Sequence, residues 1–151
     1  MLKSIWTYMA LALLAMVVWF VFLAPAQQMV GHDMTPPDTS SAQQGRPLAE
    51  VVLPATLSQN AQIGKNVFEG ACASCHGINA AGQNGIAPPL VHRIYEPSHH
   101  GVQAFLNAAQ NGVSSHHWEF GNMPPVEGLT RSEVIYIVSY VRELQQANGI
   151  R

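Results

Sequence analysis

The sequence predicts an all-α protein with one N-terminal membrane-spanning helix, a linker, and a small domain of three or more helices. Three observations carry this reading. Residues Ile5 to Ala26 include no charged side chain. Three stretches after Leu57 repeat apolar residues at helical spacing, and almost no stretch alternates as a strand does. The predicted boundaries are 1–26 for the anchor, 27–57 for the linker and 58–151 for the domain.

The run IWTYMALALLAMVVWFVFLAPA is long enough, at about 1.5 Å per residue, to cross a hydrocarbon core of about 30 Å. Lys3 precedes it, and the positive-inside tendency puts the N-terminus in the cytoplasm and the rest of the chain outside. Ala24-Pro25-Ala26 also has the small-x-small form of a signal-peptide cleavage site. The anchor is favoured, because the run exceeds the usual signal core of about 7–15 apolar residues and a proline occupies the middle of the triplet. Either outcome exports the rest of the chain.

Residues 27–57 mix Gln, Ser, Thr and proline without a sustained apolar period, which reads as a flexible linker spanning on the order of 30 Å. His32 and Met34 are isolated there and are read as filler, not as a metal site. Beyond Ala26 the chain carries six Lys and Arg against nine Asp and Glu, so it offers no basic face. Nucleic-acid binding, which needs clustered cations, is disfavoured.

In the domain the first helix is SQNAQIGKNVFEGA, with Ser58 as N-cap and Ile63, Val67 and Phe68 on one face. The second is HGVQAFLNAAQN, with Val102, Phe105, Leu106 and Ala109 at helical spacing and Gly112 as its stop. The third, TRSEVIYIVSYVRELQQA, opens with Thr130 and Glu133 as a capping box and repeats Val134, Ile137, Val138 and Val141. Gly- and Pro-rich loops separate these helices. Three helices in so short a domain make a thin core, so something besides side chains is expected to fill it.

The chain's only cysteines stand in Cys72-Ala73-Ser74-Cys75-His76. Two thiols one helical turn apart can add across two neighbouring haem vinyl groups, with His76 held under the iron as an axial ligand. A thioredoxin-type dithiol would instead follow a strand in an α/β setting. A disulfide across two residues closes too small a loop to stabilise much and gives His76 no role. Zinc would need two more ligands, and His92 and His99 lie just outside the spacing of a two-Cys two-His finger. Met123, in Gly121-Asn122-Met123-Pro124-Pro125, stands on a proline-stiffened loop and is read as the second axial ligand.

With these motifs in this order, the chain from Ser58 to Gln146 resembles the class I c-type cytochromes. Gly64 and Phe68 fall where that family packs its first helix against its last, at positions matching Ile137 and Tyr140. The resemblance implies one covalent haem c held by Cys72 and Cys75. It also implies that the carbonyl of Pro88, in Gly85-Ile86-Ala87-Pro88-Pro89-Leu90, accepts the Nδ1 hydrogen of His76, and that His76 and Met123 are the iron ligands. His99, His100, His116 and His117, with Trp118 beside them, are not part of the general family pattern. One of these histidines could replace Met123, or bond a haem propionate as Trp118 could. Lys65 is the domain's only lysine, so docking by a lysine ring is not expected.

The expected function is single-electron transfer, not enzymatic catalysis, by a membrane-tethered carrier on the periplasmic face of a bacterial inner membrane. Its partners are redox proteins of a respiratory or related chain. A dedicated haem subunit of one oxidoreductase is the main alternative, and a gas-binding sensor a more distant one.

Overall fold

The computed structural model describes residues 2–19 and 34–151. The chain divides into two units, Met1–His32 and Asp33–Arg151. In the first, α1 covers Leu2–Val18. Its described side chains from Ile5 onward are exposed although apolar, Trp6 at 69% and Leu14 at 62%. Among the described residues no helix is long and apolar enough to cross a membrane. α1 has 17 residues, about 26 Å at helical rise. Residues 20–26 of the expected anchor and 27–33 of the expected linker lie outside the described residues.

The second unit is helical, with α2 at Gln59–Ala71, the single turn α3 at Ala73–His76, α4 at Val102–Asn111 and α5 at Arg131–Ala147. Two 3-10 turns, Ile78–Ala80 and Arg93–Tyr95, interrupt the long connection between α3 and α4. Ser58 caps α2 as expected, its Oγ accepting from Ala61 N at 3.3 Å. The same residue is fixed to α5, because Ser58 N donates to Glu143 Oε2 at 3.0 Å. The Thr130–Glu133 capping box opens α5, and Gly112 ends α4.

The core is the crossing of α2 and α5. Gly64 allows it, since a Cβ there would overlap the Tyr136 carbonyl and stand 2.9 Å from Ile137 N. One turn on, the Phe68 and Tyr140 rings pack with centroids 5.7 Å apart. This approach sets the buried stripe of α2 as Ala61, Gly64 and Phe68, and turns the expected core residue Ile63 outward to 38% exposure. On α4, Leu106 is buried, whereas Val102 in the first turn is exposed. On α5 the predicted Val134, Ile137, Val138 and Val141 are all buried.

The α5 stripe continues into a polar residue, Gln145, which is fully buried. Its amide donates to Leu90 O at 2.8 Å and Tyr95 O at 2.9 Å, satisfying carbonyls of the long connection. Arg142 donates to Gln145, to Tyr95 O and to His100 O, and lies over the Phe105 ring. Residues ahead of α2 are also fastened to this unit. Leu48 N and Ala49 N both donate to Ala81 O, Asn84 binds back to Ala42 O, and Asn148 both donates to and accepts from the Val52 backbone.

Candidate haem site

The site starts where α2 breaks. Cys72 N still donates to Phe68 O at 2.8 Å, but Cys72 leaves helical geometry at φ −120° and ψ −30°, and the chain re-enters a helix for one turn, α3. That turn brings Cys72, Cys75 and His76 together, with His76 N bonded to Cys72 O at 2.9 Å. The Gln83 amide caps the turn by donating to Ser74 O and Cys75 O. Both thiols are free, Cys72 half-buried and Cys75 exposed.

His76 is buried and held on two sides. Its carbonyl accepts from Gly82 N at 2.7 Å, and its Nδ1 stands 2.9 Å from Pro88 O. A carbonyl oxygen only accepts, so Nδ1 carries the hydrogen and Nε2 presents its lone pair. Burial pulls the His76 pKa below its ordinary value, and the bond to Pro88 opposes this in part. The ring is thus held in one orientation with Nε2 open, the arrangement that raises basicity in a metal-binding histidine.

The Cys72 thiol is pushed up to about 11, first by burial and then by the neighbouring Cys75. Redox-active dithiols are tuned the opposite way, toward the thiolate. This counts against thiol oxidoreductase chemistry at the pair.

Met123 belongs to a separate element. Val113 and Met123 exchange two backbone hydrogen bonds of 2.9 Å, and Val126 N donates to Ala109 O, so the methionine loop hangs from the end of α4. Gly112, at φ +74°, makes this possible, because a Cβ there would stand 2.5 Å from Met123 O and 3.1 Å from the Pro125 ring. Met123 is half-buried. Among the described residues no hydrogen bond or ring contact joins it to the group formed by Cys72, Cys75, His76 and Pro88.

A sequence profile of the family described as Cytochrome c matches residues 61–145. The chain belongs to the cytochrome c family. No curated protein and no solved structure matches it. The matched span of this cytochrome runs from the first turn of α2 almost to the end of α5, and includes the helix crossing, the cysteine turn and the methionine loop. Membership implies covalently attached haem c and electron transfer with redox partner proteins.

The residues present fit that group. Two free thiols lie one turn apart, and the histidine following them offers Nε2 while Nδ1 is satisfied. Trp118 adds a third sign. It is buried, and its indole N–H has no partner of hydrogen-bond geometry among the described residues, although it lies close enough to the Tyr95 hydroxyl to oppose slightly the burial that pushes that phenol up. A buried donor left alone costs about 1–3 kcal/mol, and an anionic acceptor such as a haem propionate would satisfy it.

Sequence reasoning missed Gln83, which caps the cysteine turn, and Arg142 and Gln145, which hold the connection from Leu90 to His100. Gln145 carried a signal, being a polar residue on the apolar stripe of α5. The four loop histidines, His99, His100, His116 and His117, prove to be one cluster, with neighbouring ring centroids 4.4–6.2 Å apart.

Proposed function

We propose that this cytochrome is a membrane-tethered, monohaem carrier of single electrons in a bacterial respiratory or related redox chain, with its haem domain in the periplasm and its iron ligated by His76 and Met123. The observation that carries the reading is the 2.9 Å bond from His76 Nδ1 to Pro88 O, directly after two free thiols on the same turn. Haem so bound supplies a one-electron couple. Cys72 and Cys75 make its attachment permanent, and the Pro88 carbonyl orients His76. The Val113–Met123 bridge holds the methionine loop rigid, so the residues need not move between oxidation states.

Tethering is supported by the charge-free run Ile5–Ala26 and by the apolar side chains that α1 exposes, since so apolar a helix is stable only in an apolar medium. Docking is supported as apolar contact. Ile78, two residues past His76, is 75% exposed, and Ile86 on the following loop is 41% exposed. Small interfaces of this kind suit a partner that must leave after each transfer.

The test is the optical spectrum of the purified protein, oxidised and reduced. Sharp low-spin c-type bands are expected, with the weak far-red band of a methionine–iron(III) bond present in the native chain and lost in Met123→Ala. A haem spectrum without that band would sink the His76/Met123 assignment. An oxidoreductase that co-purifies in equal amount from detergent extracts would instead mark the chain as that complex's haem subunit.

A further inference from the structure

His99, His100 and His117 offer ligand nitrogens that all lie within 4.8 Å of one another. One pair, His99 Nε2 and His117 Nε2, is 3.3 Å apart. Two nitrogens each about 2.0–2.1 Å from a tetrahedral ion are themselves roughly 3.3 Å apart, so this pair already has the spacing of two zinc ligands.

The third ligand is held ready in the way metal-binding imidazoles usually are. His100 Nδ1 faces Ile94 O at 2.6 Å, so it carries the hydrogen and leaves Nε2 as the open lone pair. The His100 backbone is fixed as well, its N–H donating to Glu96 O and its carbonyl accepting from Arg142 on α5. His117 reaches the same place from the far side of α4, and its segment is closed by Ser115 N donating to Asn122 Oδ1.

We propose that His99, His100 and His117 form a site for one divalent transition-metal ion of the copper–zinc class, which ties the segment before α4 to the loop that leads into Met123. The donor chemistry selects the class. Three imidazoles without a carboxylate suit Cu²⁺ or Zn²⁺ and not Mg²⁺ or Ca²⁺, and three protein ligands leave a position open. Copper binds more tightly than zinc at such a site, following the general order of divalent affinities. The site is distinct from His76 and Met123, and the proposal rests on the reading in which Met123, not a histidine of this cluster, is the second axial ligand.

The experiment titrates the haem-loaded, full-length protein, purified without a histidine tag, with Zn²⁺ and separately with Cu²⁺. One ion per chain is expected, with zinc-edge X-ray absorption fitting three imidazole nitrogens at about 2.0–2.1 Å. Since losing even an outer-shell partner costs roughly 10–100-fold in affinity, His99→Ala and His117→Ala should each lose at least about that much. His32→Ala and His92→Ala should bind as the native chain does, and unchanged haem bands in every variant show that it is folded. Loading should also slow amide exchange across residues 115–123. Absence of stoichiometric binding, binding that survives the His99→Ala/His117→Ala pair, or binding lost in His32→Ala would overturn the site. Exchange that does not slow on loading would overturn the tie between the two segments.

Discussion

Gly64 on α2 lies so close to the Tyr136 carbonyl on α5 that no side-chain carbon fits between them. In an isolated helix alanine would be favoured over glycine by about 1 kcal/mol. Here the helices must part, so Gly64→Ala should lower stability by about 1–3 kcal/mol against that preference. Denaturant unfolding of the haem-loaded protein measures this, and an unchanged or higher midpoint would contradict the crossing.

Gln145 satisfies Leu90 O and Tyr95 O from a fully buried position. Gln145→Leu keeps the volume and removes the donors, leaving Leu90 O unpaired and Arg142 without one of its acceptors. A loss of about 1–3 kcal/mol is expected in the same unfolding assay.

Gly112 carries a positive φ and a close approach to Met123 O. Gly112→Ala adds about 1–3 kcal/mol of backbone strain there and pushes on the methionine loop. With Met123 as the proposed iron ligand, the far-red methionine–iron(III) band should weaken while the c-type haem bands remain. Full intensity of that band in the variant would mean that the loop absorbs the change elsewhere.

Tyr140 gives the fold an alkaline limit. Burial, and then the charge of Glu69, push its phenol up to about 12, above its ordinary value of 10.0. Between these values the unfolded chain has lost a proton that the folded one keeps, so the stabilisation is complete below pH 10 and disappears as pH rises toward 12. The unfolding midpoint should fall across that window, and Tyr140→Phe should flatten the fall. Tyr95, whose phenol burial also raises, keeps part of the slope.

Ile78 projects beside the cysteine turn at 75% exposure. If partners dock by apolar contact there, Ile78→Glu should slow bimolecular electron transfer about tenfold or more, while leaving the haem spectrum and the midpoint of unfolding unchanged. A tenfold loss corresponds to about 1.4 kcal/mol of encounter energy. Stopped-flow oxidation by a membrane fraction measures it.

Regular features were legible in the sequence for a physical reason, since each is local and repeats. The capping box of Thr130 and Glu133 and the α5 stripe follow from spacing alone, and Cys72, Cys75 and His76 stand out because attachment chemistry needs them at fixed intervals. What was lost depends on tertiary approach. Ile63 looked like a core residue by period, but the depth of contact at Gly64 decides which face of α2 is buried. The histidine cluster was invisible as a cluster, because its halves lie on either side of α4 and only folding makes them neighbours. The stretch from Thr39 to Val52 shows no period because it is held by backbone bonds to Ala81, Asn84 and Asn148, which leave no pattern in side-chain type.

Those last bonds have a mechanical consequence. A pull on the chain from its N-terminal side meets Asn84 first and then the two-bond clip between Asn148 and Val52, before it reaches Ser58 and α2. Tension that passes Asn84 and Ala81 is taken up at Asn148, the far end of the domain, before it reaches α2. The fold has the equivalent of a cable clamp ahead of its first long helix.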